Sequence, residues 1–135
     1  MYYTAIVNQA VEKFKAIGEE TRLRILRILI KADEELCVCE IVDILGKPQY
    51  TISRSLTTLK KAELVEERRQ GKLMMYRLKR SALNNMLFKS VAALPEDDKS
   101  YKGDFAALDH RLAIREEGKC VVTYYGRKYW RKKHG

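Results

Sequence analysis

The chain has no apolar run long enough to span a bilayer, which takes about 20 consecutive apolar residues. Its opening residues, Met1-Tyr2-Tyr3-Thr4, carry no basic stretch ahead of an apolar segment. No secretory leader and no membrane association are expected, and the expected setting is cytoplasmic. Cysteine is scarce, three in 135 residues. An odd, small number in that compartment argues against a disulfide framework. Histidine is scarcer still, with only His110 and His134. A thiol enzyme needs a base beside its nucleophile, and two histidines in surface-like contexts do not supply one. No Gly-rich loop or Ser/His/Asp setting offers another route, so no enzyme is expected. There is no internal repeat.

What the chain has in surplus is positive charge. The formal net charge is +9. Arg127-Lys128-Tyr129-Trp130-Arg131-Lys132-Lys133 carries five of those charges, leaving four for the rest. A basic surplus points to a polyanion, nucleic acid first and anionic membrane second. The length suits one domain with a tail and allows a buried core.

Apolar periodicity gives the organisation. Ile6, Val7, Ala10, Val11 and Phe14 form a helical stripe over 4–16, broken at Gly18. A second helix over 19–31 is apolar around most of its circumference, through Leu23, Ile25, Leu26, Ile28, Leu29 and Ile30, and reads as the central buried helix. A short helix over 36–45 ends at Gly46. Pro48 opens the next, over 48–61, with Ile52, Leu56 and Leu59 inward and a polar, basic outer face. Short helix, tight turn and second helix with such a face make a helix-turn-helix. Residues 64–69 and 73–78 then face each other across Gln70-Gly71-Lys72 as a β-hairpin, a wing.

Ser81 caps a further helix over 82–94, Pro95 to Ser100 reads as a linker, and a last helix runs over 104–117. Its stripe of Phe105, Leu108 and Leu112 is narrow and terminal, which suits packing on a partner better than closing a core. The fold class is mainly α with a β-hairpin wing, a winged helix-turn-helix. The expected divisions are 1–94 for the DNA-binding and sensor domain, 95–117 for linker and dimer helix, and 118–135 for a basic aromatic tail carrying Cys120. The tail is a solubilising end, an extra DNA arm, or a strand docked on the partner.

The partner expected of this arrangement is double-stranded operator DNA. Gln49, Tyr50, Ser53 and Arg54 are placed to reach base edges, with arginine suited to guanine and glutamine to adenine, and Thr51 is a further DNA-binding candidate beside them. Arg68, Arg69 and Lys72 are candidates for phosphate or minor-groove contacts, which give affinity and salt dependence without sequence information, and Thr57, Lys60 and Lys61 for further backbone contacts.

Two cysteines sit one residue apart in Glu35-Leu36-Cys37-Val38-Cys39-Glu40. Helix N-termini lower cysteine pKa values, and thiolates bind soft ions. On an ideal helix, side chains two apart point about 200° away from each other. Two thiolates so placed cannot hold one ion unless the turn unwinds. Capture of a soft ion would then distort the helix that positions 49–61. A disulfide between the two would be strained, so oxidation is expected to join Cys120 to one of them. Cys120 is either the third ligand, from the same chain or a dimer mate, or a bystander.

Together these stretches resemble the ArsR/SmtB family of metal- and metalloid-responsive repressors, over about residues 5–94. Glu20-Thr21-Arg22-Leu23-Arg24-Ile25-Leu26 is similar to the family's second-helix signature, Glu35 to Glu40 to the thiol box of its arsenic and cadmium/lead branches, and Gln49-Tyr50-Thr51-Ile52-Ser53-Arg54-Ser55-Leu56 to its recognition helix. Ser55 departs from a common histidine and Pro48 from a small hydroxyl residue, which bears on operator sequence rather than fold. The resemblance implies a homodimer, here through the terminal helices, that represses its own operon and lets go on binding the toxic ion.

Arsenite or antimonite is the expected regulatory ligand, because trivalent arsenic and antimony are satisfied by three sulfurs and Cys37, Cys39 and Cys120 are all that one chain offers. In the best-known arsenic branch the third cysteine stands three positions after the second, where this chain has Val42. Cadmium and lead sensors add N-terminal cysteines, and residues 1–36 contain none. Zinc prefers four ligands, and the helical Asp/His pattern of the zinc sensors is absent, leaving His110 as a solvated surface residue. The alternatives are a cadmium/lead-responsive or a thiol-redox-responsive repressor of the same fold.

Overall fold

The computed structural model describes residues 2–96 and 99–121. Six helices and three strands follow in the order α1 (Tyr2–Ile17), α2 (Glu20–Ala32), β1 (Leu36–Cys37), α3 (Val38–Leu45), α4 (Gln49–Lys61), β2 (Val65–Gln70), β3 (Leu73–Leu78), α5 (Ala82–Ala92) and α6 (Lys99–Ala113). The basic aromatic run of residues 127–133 and the middle of the expected linker, Asp97 and Asp98, lie outside the described residues.

α2 is the centre of the core. Ile25, Leu26, Ile28 and Leu29 lose essentially all solvent contact. Its first turn is capped by Glu19, whose carboxylate accepts from the backbone N–H of Thr21 and Arg22 at 3.0 Å each. α3 and α4 pack beside it through Ile41, Ile44, Ile52, Leu56 and Leu59, all fully buried. Between them Gly46 takes the left-handed conformation (φ 66°) that ends α3, and Pro48 stands as the N-cap of α4. The helix-turn-helix expected from the sequence is therefore present, as is the wing. β2 and β3 pair antiparallel from Val65–Leu78 to Gln70–Leu73, with Gly71 left-handed at the tip (φ 59°).

The sheet has a third strand that periodicity could not reveal. β1 pairs antiparallel with β3, Leu36 opposite Tyr76 and Cys37 opposite Met75, giving the order β1-β3-β2. This corrects the helix expected over 36–45. Leu36 and Cys37 are extended, and α3 begins only at Val38, because ladder pairing to the wing holds their backbone.

The last helix is also corrected. α6 packs on α2 and α3 of its own chain and buries Ala107 and Leu108, so it closes the core rather than waiting for a partner. A buried ion pair fixes it: Arg24 of α2 donates to both carboxylate oxygens of Asp104 at 2.8 Å, and to the Leu45 carbonyl at the end of α3 at 3.3 Å. Arg27, which the pattern placed on a leftover helix position, is buried and donates to the Val91 and Leu94 carbonyls at 3.3 Å. The apolar stripe of α1 faces outward instead: Ile6, Val7, Val11 and Phe14 are all exposed.

Candidate functional site

The chemistry converges where β1 turns into α3. Cys37 is the N-cap of α3, in extended conformation (φ −85°, ψ 160°), while Cys39 lies inside the first turn. A strand residue and a helix residue two apart do not obey the helical 200° rule, and their side chains converge. The sulfurs of Cys37 and Cys39 are in disulfide contact, with Cα atoms 5.5 Å apart, inside the ordinary range for such a pair. This overturns two expectations. The turn need not unwind for both sulfurs to face one point. And the sulfurs in disulfide contact are those of Cys37 and Cys39, rather than Cys120 with either of them.

Cys120 comes in from the far end of the chain. After α6, Glu117 and Gly118 are both left-handed (φ 53° and 73°), and Glu116 and Lys119 exchange backbone hydrogen bonds at 3.0 and 2.9 Å. That tight turn sends Cys120 back against α3. Its Sγ lies 3.3 Å from that of Cys37 and 3.7 Å from that of Cys39. The three ligand atoms lie within 4.8 Å of one another. Three sulfurs arranged tetrahedrally at about 2.3 Å from a soft ion would stand about 3.8 Å apart, so Cys120 is already near ligand spacing from both partners, while Cys37 and Cys39, in disulfide contact, must be reduced and move apart to join it. The residues present fit a thiophilic ion, and all three come from one chain.

The sequence reading missed the charged groups around the sulfurs. Arg111 of α6 is buried, with its guanidinium 3.7 Å from the Cys120 sulfur, 3.9 Å from that of Cys39, and 3.4 Å from the Asp43 carboxylate. One turn on, Arg115 donates to both oxygens of the Glu40 carboxylate at 2.7 and 2.8 Å, to the Glu35 carbonyl at 2.7 Å, and to the Glu34 carboxylate. These contacts, Glu40's above all, hold the Arg115 guanidinium above its ordinary pKa, against burial. Glu40 has no solvent contact and also accepts the backbone N–H of Cys37 at 2.9 Å. The available signal was spacing. Arg111 and Arg115 are four apart, which on the helix expected over 104–117 puts them on one face, although α6 ends at Ala113 and Arg115 follows it; they meet the acidic pair Glu40 and Asp43, three apart on α3. His110, expected on the surface, is half-buried with Nε2 shielded from solvent.

The thiol site adjoins the expected DNA surface. A groove of about 340 Å³ is lined by Cys37 and Cys39 on one side and by Gln49, Ser53 and Lys72 on the other. On α4, Gln49, Tyr50, Arg54, Thr57 and Lys60 are exposed, while Thr51 and Ser53 are half-buried. The Arg54 guanidinium lies 5.9 Å from the centre of the Tyr50 ring. On the wing, Arg69 and Lys72 stand free of the core, but Arg68 is drawn back onto Glu35 by hydrogen bonds of 2.6 and 3.0 Å. That contact lowers the Glu35 pKa. Lys60 is likewise ion-paired to Glu67. Glu35 thus joins the thiol segment to the wing through its side chain and, through its carbonyl, to Arg115 just after α6.

Comparison with known proteins matches residues 19–67 to the family described as bacterial regulatory protein, arsR family. An uncharacterized HTH-type transcriptional regulator of Methanocaldococcus jannaschii is 48% identical over 69 residues, 51% of this chain and 76% of that one. The cadmium resistance transcriptional regulatory protein CadC of Listeria innocua is 38% identical over 74 residues, 55% of this chain and 61% of that one. The arsenical resistance operon repressor of Escherichia coli is 41% identical over 68 residues, 50% of this chain and 57% of that one. The chain thus spans less than two thirds of the length of the latter two. Among solved structures, the homodimeric winged helix-turn-helix DNA-binding domain from Mycobacterium bovis, a possible ArsR-family regulator, superposes with a TM-score of 0.59 at 32% identity, over 66% of this chain and 80% of that one.

Proposed function

The chain belongs to the ArsR family of DNA-binding transcriptional regulators, and from that premise we propose that it is a homodimeric repressor that releases its operator when Cys37, Cys39 and Cys120 of one chain hold trivalent arsenic or antimony. The observation that carries the reading is the convergence of three sulfurs within 4.8 Å, two from the start of the helix-turn-helix and one from beyond α6. A regulatory site built into the element that positions α4 is where ligand and DNA can favour different arrangements of one body, a negative and reciprocal coupling.

Charge favours a trivalent ion. Four charged side chains crowd the trio: Arg111 and Arg115, Asp43 and Glu40, each with side-chain exposure of 6% or less. Two positive and two negative charges cancel. Three thiolates on a trivalent ion make a neutral complex, which such surroundings accept. On a divalent ion they leave one net negative charge, and burying an unmatched charge is costly.

DNA contact is assigned to Gln49, Tyr50, Thr51, Ser53 and Arg54 for base edges, and to Thr57, Lys60, Arg69 and Lys72 for the backbone. Arg68 would join them only by leaving Glu35. A second reading, release by thiol oxidation, is favoured by the disulfide contact of Cys37 with Cys39.

The test is fluorescence anisotropy of the protein on its own upstream DNA, titrated in reductant with arsenite, antimonite, cadmium, lead and zinc, and separately with oxidant. Release by arsenite and antimonite at lower dose than by the divalent ions is the expected result. Release by cadmium or lead alone would reassign the site, and release only by oxidant would make it a redox switch.

A further inference from the structure

The sulfur trio unites groups 81 and 83 residues apart in sequence, and something must hold the incoming end. We propose that Arg115 is a positioning residue for the thiol site. In this assignment it latches the end of α6 onto the first turn of α3, and so keeps Cys120 within ligand distance of Cys37 and Cys39. The inference rests on the ligand reading above, but the latch has a consequence that needs no ion.

Four residues separate Arg115 from Cys120, and the intervening backbone is a single tight turn closed by the Glu116–Lys119 hydrogen bonds. Fixing Arg115 therefore fixes where the turn delivers the thiol. The guanidinium is spread over three residues of the thiol segment: the Glu40 carboxylate, the Glu35 carbonyl and the Glu34 carboxylate. Its side chain is 6% exposed and that of Glu40 1%. Glu40 in turn holds the Cys37 N–H. One carboxylate therefore sets both the backbone that carries the first sulfur and the arginine that delivers the third. The planar fork of arginine suits this, since it binds both carboxylate oxygens and still reaches the carbonyl. Lysine offers one charged point in its place.

Preorganisation of this kind removes the cost of ordering Cys120 at the moment of binding. Without the latch, Cys37 and Cys39 still face each other, because their geometry comes from β1 and the N-terminus of α3. The site should then behave as a two-sulfur site, as it would in Cys120→Ser. The same links tie α6 to α3, so the latch also stiffens the helix that seats α4.

Two measurements on the full chain test this. The first needs no ligand. In a Cys39→Ser background, where Cys37 and Cys120 are the remaining thiols, the rate of Cys37–Cys120 disulfide formation with diamide reports their proximity. We expect Arg115→Met to slow it at least tenfold and Arg115→Lys to restore most of the rate. Because Arg115→Met strands a buried carboxylate, the double variant Arg115→Met/Glu40→Gln is made as well; it keeps an acceptor for the Cys37 N–H and should be as slow. Unchanged rates in both variants would overturn the latch.

The second is the arsenic–sulfur coordination number by X-ray absorption with one equivalent of arsenite. Three sulfurs are expected in the wild type and in Arg115→Lys, and two in Arg115→Met and in Cys120→Ser. Three sulfurs retained in Arg115→Met would overturn the proposal. Fewer than three in the wild type would refute the ligand reading instead, leaving the diamide rates to judge the latch.

Discussion

At the scale of single residues, the site separates what a sequence can announce from what it cannot. Cys37 and Cys39 announce themselves, since two of three cysteines stand one residue apart. Cys120 was legible as a candidate only, because nothing in a sequence separation of 83 from Cys37 says that a turn after α6 brings it back. Arg111 and Arg115 were invisible as site residues, for two arginines on a terminal helix ordinarily face water, and only the packing of α6 on α3 buries them. Cys120→Ser should lower arsenite affinity by about two orders of magnitude, roughly 2.8 kcal/mol. Titration calorimetry in reductant measures it, and an unchanged affinity would remove Cys120 from the site. The buried pair Arg24–Asp104 yields a separate prediction. Asp104→Asn keeps the shape but leaves a guanidinium, with a side chain only 10% exposed, facing the exposed Glu20 carboxylate at 3.9 Å. Removing one partner of a buried pair costs about 3–5 kcal/mol, read as a lower urea midpoint. A loss below about 1 kcal/mol would mean that water reaches Arg24.

At the scale of elements, helices with long apolar stripes could be read from the sequence, and short or paired elements could not. Two residues of β1 have no periodicity to show, and their extended backbone follows from pairing with β3. That misplaced the first turn of α3, and with it the argument that Cys37 and Cys39 point apart. The breadth of the apolar pattern on α2 did mark it as central. What its cap contributes can be tested by pH. Burial raises the Glu19 pKa, but the N–H groups of Thr21 and Arg22 and the charge of Arg22 outweigh it, so the net shift is downward. A carboxyl whose folded pKa lies below its unfolded value stabilises the fold above the unfolded pKa. That contribution is lost as pH falls through the folded one. Glu19→Ala should therefore cost about 0.5–1 kcal/mol at neutral pH, at the low end for a cap because the side chain is 40% exposed. The difference from wild type should shrink as pH drops below the carboxylate range. Thermal melts at pH 7 and pH 3 decide it, and an equal difference at both would mean that Glu19 acts through packing alone.

At the scale of the whole molecule, the described residues leave the apolar stripe of α1 uncovered. Ile6, Val7, Val11 and Phe14 on α1 are 46%, 39%, 42% and 61% exposed, and on α5 Leu83 and Met86 are exposed at 41% and 69%. The periodicity of α1 was plain in the sequence, but its direction was not, because a stripe looks the same whether it meets its own core or another chain. Contiguous exposed apolar surface marks an interface, and the homodimer proposed above supplies the second copy that would cover it. Phe14 is the residue to change, being the largest and most exposed of the stripe. Phe14→Glu should leave the monomer folded while placing a charge in the apolar surface that the second copy would cover. Sedimentation velocity should then show half the wild-type mass. DNA affinity should fall by about 10²–10⁴, because the second recognition helix no longer binds as part of the same molecule. Arsenite affinity should stay within about threefold of wild type, since all three sulfurs come from one chain, a difference of under 1 kcal/mol. A variant that stays dimeric and holds DNA as tightly as wild type would move the interface off α1. One that becomes monomeric and also loses arsenite would mean that the site is completed across the dimer after all.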